Sequence, residues 1–322
     1  MNIVCVESLG ISRERFEDLK AHYAALGHTF NYYLDRPGDA ADQRGGTAPL
    51  DETLVQRMAG ADVVVVSNIK LSAAVLAQCP NLKYLSVAFT GLDHIDLAYC
   101  RKHGIEVQNA AGYSTTAVSE LAVGMMLDLL RNILTLSEQM HQGAGRGTFL
   151  GRELRGKTVG IVGTGAIGIA TARLLLAFGA KVIAWSRTER PEVKAMGISY
   201  MPLDDLLRQS DIVSLHVPLC DETRGLIGER ELKLMKPTAL LVNTARGPVA
   251  DIAAVGRALV ENRIAGAAFD VFEHEPPLPL DHLLLSTNRC LVTPHVAFAT
   301  EESFAARADI VFGHVDQWLQ QQ

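Results

Sequence analysis

Short apolar segments alternate with longer segments of helical pattern along this 322-residue chain, and this alternation limits the folds that the chain can adopt. Predicted strands lie at 1–7, 63–66, 82–87, 159–162, 181–185, 212–216, 239–243, 266–269 and 290–293, and predicted helices at 119–132, 167–178, 203–208 and 252–261. Strands that are apolar throughout, with helices between them, are typical of parallel sheets covered on both faces. The sequence therefore predicts an α/β protein with doubly wound parallel sheets, and its length predicts about two domains.

Composition and charge exclude several other classes of protein. Hydrophobic residues make up 48% of the chain and charged residues 20%, as in ordinary globular proteins. The formal net charge is −6 and there is no basic stripe, so we expect no nucleic-acid partner. No apolar run reaches the roughly 18 residues of a membrane helix, and the start lacks a secretory signal. The five cysteines lie far apart without a CxxC pair, which predicts reduced thiols, a soluble cytoplasmic protein and no metal site.

Three glycines, Gly163, Gly165 and Gly168, stand between a predicted strand and a predicted helix. This GxGxxG spacing inside a strand–helix–strand unit is the pattern of a dinucleotide-binding turn. The first glycine permits the tight turn, the second lets a pyrophosphate approach the backbone, and the third lets the helix pack on the strand. The N–H groups of Ala166 and Ile167 would face the phosphates at the helix N-terminus. The alternative is a packing turn in a domain that binds no nucleotide.

The residues after the next predicted strand bear on which dinucleotide is bound. An acidic residue at this place would bind the ribose hydroxyls of NAD. This chain has Ser186, Arg187, Thr188 and Arg190 there instead. A guanidinium can bind a 2′-phosphate with two parallel hydrogen bonds, so the segment favours NADP(H) over NAD(H). The alternative is that both arginines are ordinary surface charges.

Arg246, Glu275 and His295 each follow a short apolar segment that is predicted to be a strand. The carboxyl ends of parallel strands line one edge of a sheet, and the glycine turn opens onto the same edge. His295 could give or take a proton, Glu275 could orient the imidazole, and Arg246 could bind a carboxylate and polarise a neighbouring carbonyl. Each residue alone has a simple structural explanation. Together they predict hydride transfer between a dinucleotide and a small 2-oxo acid.

Several ordered motifs resemble the D-isomer-specific 2-hydroxyacid dehydrogenase family, which includes glyoxylate and hydroxypyruvate reductases. They are the segments 89–96, 115–120, 156–168, 216–219 with Thr223, 243–247, 270–276 and 293–295. The resemblance implies that Arg246, Glu275 and His295 are the catalytic residues. It also implies that backbone amides around Thr90 and Gly91 bind the substrate carboxylate.

Further contacts are implied by the same resemblance. Phe89 helps to shape the substrate pocket. The cofactor contacts are Ala166 and Ile167 at the pyrophosphate, Ser186 and Arg187 at the ribose, Val217, Pro218 and Thr223 around the adenosine half, and Thr244, Ala245 and Asp270 near the nicotinamide. Many NAD-using members have Asp where this chain has Ser186, which again bears on the choice between NAD and NADP.

The resemblance implies two Rossmann-like α/β domains with the active site in the cleft between them. The substrate-binding domain is expected at 1–100 plus 297–322, and the dinucleotide-binding domain at 101–296. Members are usually homodimers, and the segment 119–151 would be the contact arm. Two other functions on this scaffold remain open, namely a dinucleotide-sensing protein similar to transcriptional corepressors and a formate or phosphite dehydrogenase. The sequence does not select one 2-oxo acid.

Overall fold

The computed structural model describes residues 1–35, 50–274 and 277–322. The chain forms two compact units, Met1–Ser114 with Ala299–Gln322, and Thr115–Phe298. Each unit has a parallel sheet of its own, which confirms the α/β class. In the described ranges, no helix is both long enough and apolar enough to cross a membrane.

The first unit is built on five parallel strands in the order β2-β1-β3-β4-β5. The strands are β1 (Asn2–Cys5), β2 (Thr29–Tyr32), β3 (Val63–Val66), β4 (Tyr84–Val87) and β5 (Glu106–Asn109). The helices are α1 (Arg13–Ala25), α2 (Leu50–Met58), α3 (Ala73–Leu76), α4 (Leu97–Lys102) and α12 (Glu301–Leu319), numbered in chain order. All four valines of β3 are fully buried, as expected of a central strand covered on both faces.

Strand β5 pairs with β4 and extends this sheet at its edge. The first unit consequently runs to Ser114, beyond the boundary expected near residue 100, and the chain returns to it at Ala299. The returning segment begins α12 at Thr300, whose hydroxyl accepts a hydrogen bond from the Ser303 N–H at 3.1 Å. Such a cap satisfies one of the unpaired N–H groups at the start of a helix.

The second unit has seven parallel strands in the order β12-β11-β10-β9-β6-β7-β8. The strands are β6 (Thr158–Val162), β7 (Lys181–Trp185), β8 (Ser199–Tyr200), β9 (Ile212–Leu215), β10 (Leu240–Asn243), β11 (Gly266–Phe269) and β12 (Cys290–Val292). The helices are α5 (Thr115–Arg131), α6 (Ile133–His141), α7 (Ala166–Ala177), α8 (Pro191–Ala195), α9 (Leu203–Gln209), α10 (Glu229–Leu234) and α11 (Ile252–Val260). Apolar clusters cover both faces of this sheet, as the doubly wound prediction requires.

The strand order of the second unit reverses beside β6. The chain runs from β6 to β7 and β8 on one side, and then returns to build β9 to β12 on the other side. In open α/β sheets, ligands bind outside the carboxyl ends of the strands at such a switch point. The fold therefore indicates a ligand-binding site at the end of β6, where the glycine turn lies.

Candidate active site

The glycine turn after β6 requires glycine at two of its three positions. Gly163 has a φ of 102°, and a Cβ there would lie 2.7 Å from the carbonyl oxygen of His216. A Cβ at Gly168 would lie 2.0 Å from the carbonyl oxygen of Gly163. Neither position can hold a side chain without moving backbone. The turn therefore has one conformation, in which α7 begins directly above the switch point.

The structure of the turn does not require a glycine at Gly165, which instead leaves space above the helix. It is the N-cap of α7, and no described atom lies within 4 Å of the position that a Cβ would take there, apart from its own neighbours. It supplies no side-chain cap to the first turn, which contains Ala166 and Ile167. The N–H groups and dipole of a helix N-terminus favour an anion. Open space above a helix N-terminus without a side-chain cap fits a pyrophosphate.

The loop after β7 is held close to this turn by Tyr200. The hydroxyl oxygens of Tyr200 and Thr164 lie 2.8 Å apart, and the Arg190 N–H donates to the Tyr200 hydroxyl at 3.1 Å. Ser186 is half-buried at the end of β7, and Arg187 is exposed. Tyr200 was not predicted as a site residue, because no strand was predicted at its position.

The segment after β9 forms a closed turn beside the glycines. The Thr223 hydroxyl donates to the Pro218 carbonyl oxygen at 2.6 Å and accepts from the Cys220 N–H at 2.9 Å. Val217 is buried, and its side chain lies 2.9 Å from the Cβ position at Gly163. Of the residues predicted to contact the adenosine half, Val217 therefore lies beside the glycine turn, and Pro218 and Thr223 are bonded to each other in the following segment.

His216 begins this segment, and its surroundings exclude it as an acid or base near neutral pH. Its Nε2 lies 2.9 Å from the Ser214 hydroxyl oxygen. Burial lowers the pKa of the imidazole from 6.5 to about 4. His216 is thus a neutral histidine near pH 7 with a structural role.

Arg246 follows β10 in a turn that Asn243 fixes. The Asn243 side chain accepts from the Ala245 N–H and donates to the Arg246 carbonyl oxygen, both at 3.0 Å. A Cβ at Gly247 would lie 2.0 Å from the backbone of Phe272, so the turn sits against the segment after β11. The Arg246 Nη1 donates to the Ala245 carbonyl oxygen at 2.8 Å. The guanidinium is therefore held back toward the end of its own strand.

Thr244 in the same turn is buried, and among the described residues no atom pairs with its hydroxyl. A buried hydroxyl without a partner is costly, and a bound ligand commonly supplies the missing partner. The sequence assigns Thr244 to the neighbourhood of the nicotinamide. A carboxamide next to Thr244 would satisfy this hydroxyl, which is a second respect in which the residues present fit a nicotinamide dinucleotide.

His295 follows β12 and is fixed through Asp270, which follows β11. The His295 N–H donates to the Asp270 carbonyl oxygen at 2.8 Å. The fully buried Asp270 carboxylate accepts from the Thr293 hydroxyl at 2.5 Å and from the N–H groups of Val296 and Ala297 at 2.9 Å. Burial raises the pKa of this carboxyl group, and these hydrogen bonds oppose the rise. The carboxylate thus ties the segment that carries His295 to the neighbouring strand.

The backbone of His295 is strained. Its φ is 54°, in the left-handed region that residues with a Cβ seldom adopt. Such conformations persist where the surrounding bonds hold them, and they cluster at functional sites. The imidazole meets the Phe298 ring edge-on, with centroids 5.4 Å apart. The strained backbone and the hydrogen bonds to Asp270 together indicate that the function of His295 depends on the direction of its imidazole.

The structure brings together two of the three predicted catalytic residues at one sheet edge. Arg246 and His295 follow β10 and β12, which both pair with β11, so Arg246, Asp270 and His295 come from three consecutive strand ends. Glu275 lies outside the described residues. Within the described part of the chain, no group of three His, Cys, Asp or Glu side chains could hold a metal ion.

The predicted substrate residues lie in the first unit, after β4. Phe89 is buried, with its ring edge-on to His94 at a centroid distance of 6.0 Å. The Asn109 side chain donates to the Thr90 carbonyl oxygen at 2.6 Å, and Thr90 itself is exposed. Gly91 is half-buried. The loop is therefore fixed from β5, and Thr90 lies at the surface of the unit.

A doubly wound parallel sheet with a glycine turn at its switch point is the architecture of a Rossmann-type dinucleotide-binding domain. The family model for the D-isomer specific 2-hydroxyacid dehydrogenase NAD binding domain matches residues 123–297. A glyoxylate reductase of Thermofilum pendens is 42% identical over 270 residues, which cover 81% of this chain and 79% of the relative. The chain belongs to the D-isomer-specific 2-hydroxyacid dehydrogenase family, as the sequence motifs predicted.

Solved structures agree with this assignment. An acyclic imino acid reductase in complex with NADPH and D-Arg superposes with a TM-score of 0.87 at 27% identity, covering 100% of this chain and 98% of that one. D-lactate dehydrogenase from Aquifex aeolicus, complexed with NAD and lactic acid, superposes with a TM-score of 0.83 at 30% identity, covering 100% and 96%. These similarities extend the family likeness over both units of the chain.

Proposed function

We propose that the protein reduces a small 2-oxo acid to the D-2-hydroxy acid, and that glyoxylate is the first substrate to test. The observation that carries this proposal is the set of strand ends that holds Arg246, Asp270 and His295 beside one another on the sheet that bears the glycine turn. The likeness to a glyoxylate reductase supports the choice of substrate. When bound, the reduced nicotinamide supplies the hydride.

The chain's own residues do the rest of the chemistry. His295 protonates the oxygen of the carbonyl as it is reduced, and Glu275 stabilises the charged imidazole before the transfer. Arg246 binds the substrate carboxylate and polarises the neighbouring carbonyl. Asp270 is a positioning residue, because it bonds the backbone on both sides of the His295 side chain.

The dinucleotide would be held mainly by the second unit. The N–H groups of the first turn of α7 bind the pyrophosphate, and Gly165 leaves the space for it. Thr244, with Ala245 and Asp270 beside it, lies at the nicotinamide, while Val217, Pro218 and Thr223 surround the adenosine half. The buried Thr244 hydroxyl supports this arrangement, since it has no partner among the described residues.

We further propose that NADP(H) is preferred over NAD(H). Ser186 and Arg187 follow β7, where no carboxylate competes for the ribose hydroxyls. Arg187 is exposed and Tyr200 holds the loop that follows, so a 2′-phosphate can be met by a guanidinium on an anchored loop. The superposed imino acid reductase was solved with NADPH and the lactate dehydrogenase with NAD, so the family fold admits both.

In the first unit, the N–H groups of Thr90 and Gly91 would bind the substrate carboxylate and Phe89 would line the pocket. The exposure of Thr90 and the hydrogen bond that fixes its loop support this role. The first unit is then the substrate-binding domain, and the second the dinucleotide-binding domain.

The protein is also proposed to act as a homodimer through α6. No residue of this helix is buried, and it exposes Ile133, Leu134 and Met140, the last with 65% of its surface accessible. Leu150 in the following loop is 80% exposed. An exposed apolar patch of this kind marks an interaction surface. Sedimentation equilibrium should give a dimer for the wild type, and Ile133→Glu with Met140→Glu should shift it to monomer.

The direct test of the activity is the loss of 340 nm absorbance with NADPH, and then NADH, against 2-oxo acids from glyoxylate to phenylpyruvate. We expect turnover with NADPH on the small acids and slower turnover with NADH. A second arm adds an amine to each oxo acid, since the likeness to an imino acid reductase favours imines as a second class of substrate. Tight cofactor binding without turnover in either arm would contradict the proposal and favour a dinucleotide-sensing protein.

A further inference from the structure

The first unit contains a buried charged side chain that the proposed mechanism does not use. Arg307 on α12 is only 3% exposed, and so is Glu7 in the segment after β1. Burying a charge is costly unless hydrogen bonds and an opposite charge compensate for it. Burial lowers the pKa of the Arg307 guanidinium, whereas Tyr113 and the negative charge of Glu7 raise it. The contacts of Arg307 show what the charge is used for.

The Arg307 guanidinium joins the ends of three strands that are consecutive in the sheet, β1, β3 and β4. Its Nη2 donates to the carbonyl oxygen of Leu9 at 2.7 Å. Its Nη1 donates to the Ser67 hydroxyl at 3.2 Å and to the Ala88 carbonyl oxygen at 3.3 Å. Leu9, Ser67 and Ala88 follow these strands in the same order. One side chain thus fixes three loops at the carboxyl edge of this sheet.

Hydrogen bonds of Ser67 with Glu7 and His94 also join these loops to one another. Glu7 accepts the Ser67 N–H at 2.7 Å, and the Ser67 carbonyl oxygen lies 2.9 Å from His94 Nε2. The guanidinium stands 4.4 Å from the centroid of the Phe304 ring, which limits its movement. Ala88 and His94 lie on either side of the segment 89–91. The network therefore holds both flanks of the proposed substrate loop.

We propose that Arg307 is a positioning residue for the substrate, which sets the direction of the Thr90 and Gly91 N–H groups by holding the Ala88 carbonyl oxygen. The inference rests on the proposed function, because it needs these N–H groups to bind a carboxylate. Donors must be fixed closely to recognise a planar anion, and small displacements weaken binding steeply. The residues named in this network all belong to the first unit.

The experiment compares Arg307→Met and Arg307→Lys with a matched control, Arg15→Met. Arg15 lies on α1 and bonds Asp309, which is on the same helix as Arg307, at 3.0 Å. Both of these side chains are exposed. Steady-state assays give kcat and KM for glyoxylate, and fluorescence titration gives the Kd of NADPH. We expect Arg307→Met to raise the KM for glyoxylate about tenfold or more, with the Kd of NADPH unchanged. Arg307→Lys keeps the charge but not the fork of donors, so its KM should lie in between.

A purely structural role predicts a different result, namely a lower melting temperature with an unchanged KM in the folded fraction. That result for Arg307→Met would overturn the inference while leaving the proposed function intact, since the wild type and Arg15→Met would still turn over. If Arg307→Met does not fold, Arg307→Lys and Ser67→Ala carry the test, and wild-type KM values in both would overturn it. A wild type that reduces no oxo acid overturns the proposed function and this inference together.

Discussion

Two turns at the carboxyl edge of the second unit's sheet are built in opposite ways. The turn after β6 takes its shape from missing side chains, since a Cβ would collide with backbone at Gly163 and Gly168. The segment after β12 takes its shape from a side chain, since the Asp270 carboxylate holds the N–H groups of Val296 and Ala297. One turn leaves open the space in which we propose that the pyrophosphate binds, and the other carries the imidazole of His295.

The difference has a consequence for substitutions. In the turn after β6, adding one carbon atom is the damaging change, because space is what the turn provides. In the segment after β12, exchanging one atom without changing the volume is the damaging change, because hydrogen-bond polarity holds it. Loss of activity should therefore follow different rules at the two places.

The largest effect is expected where the side chain itself reacts. Replacing His295 with Asn should lower kcat for glyoxylate by about two to four orders of magnitude, because the proton donor is lost. The Kd of NADPH should stay within about twofold, since the glycine turn belongs to a different strand end. Steady-state assays and fluorescence titration measure the two quantities. His22→Asn, at a histidine of α1 in the first unit, is the control, and an unchanged kcat in His295→Asn would remove the role.

The next effect concerns stability and His216, whose carbonyl oxygen supports the glycine turn. The pKa of His216 is about 4 in the folded chain against 6.5 for a free imidazole. Above pH 6.5 the ring is neutral in the folded and the unfolded chain, so its titration does not lower the free energy of unfolding there. Between pH 6.5 and pH 4 the unfolded chain binds the proton and the folded chain does not, so stability falls as the pH falls. The loss should reach about 3 kcal/mol at most.

Urea unfolding at a series of pH values between 7 and about 4 measures this slope. In His216→Asn the titrating group is gone, so the free energy of unfolding should fall less steeply over the same range. Equal slopes for the two proteins would mean that His216 is not the group responsible.

An exchange of one atom at Asp270 tests the segment that carries His295. Asp270→Asn keeps the volume but replaces one carboxylate oxygen, an acceptor, with an NH₂ group. This donor would then face a group that is itself a hydrogen-bond donor. We expect kcat to fall about ten- to a hundredfold and stability to drop by about 1–3 kcal/mol. Asp251→Asn is the matched control, because Asp251 caps α11 through the Ala254 N–H at 3.0 Å and Asn caps equally well. Similar behaviour of both variants would contradict the special role of Asp270.

The same contrast explains which features the sequence could predict. Apolar strands such as β3 and β10 were predicted, because burial on both faces leaves an unbroken apolar run. The edge strands β2, β5 and β8 were missed, since they are short and their exposed faces are polar. The predicted helix at 119–132 is observed as α5, which ends before Asn132 and its φ of 50°, and α6 beyond Asn132 was not predicted.

The candidate site likewise contains some residues that the sequence could predict and others that it could not. Glycines and reactive residues follow strands directly, so Gly163, Arg246 and His295 could be singled out from local sequence. The residues that hold them act over long separations, for example Arg307 on Leu9 and Ala88, and local patterns contain no information about such pairs. The glycine turn was predictable because the spacing of its three glycines is local, although Gly163 lies against the distant His216, and the networks around the turn were not predictable.

Two alanine substitutions distinguish the roles of Gly165 and Gly168 in the glycine turn. At Gly165 a Cβ has open space, so Gly165→Ala should keep the stability of the wild type but weaken NADPH binding about tenfold or more, because the methyl group occupies the place of the phosphates. At Gly168 a Cβ collides with the carbonyl oxygen of Gly163, so Gly168→Ala should lower stability by about 1–3 kcal/mol as well. Thermal unfolding and fluorescence titration separate the two. Equal losses of stability would contradict the distinction.

The smallest effect is expected at Tyr200, where the glycine turn is itself held by a side chain. Tyr200→Phe keeps the ring and removes the hydroxyl that lies 2.8 Å from the Thr164 hydroxyl and accepts the Arg190 N–H. Losing such bonds costs about 0.5–1.5 kcal/mol, so the KM for NADPH should rise about two- to tenfold at constant kcat.

The Tyr200→Phe assays should be run with both dinucleotides and with Tyr99→Phe, a tyrosine of α4, as the control. If the loop at 186–190 binds a 2′-phosphate, the KM for NADPH should rise more than the KM for NADH, because only NADPH carries the 2′-phosphate that the loop would bind. Equal rises would mean that Tyr200 acts on the glycine turn alone through Thr164. No rise with either dinucleotide would mean that the turn after β6 owes its shape to its backbone entirely.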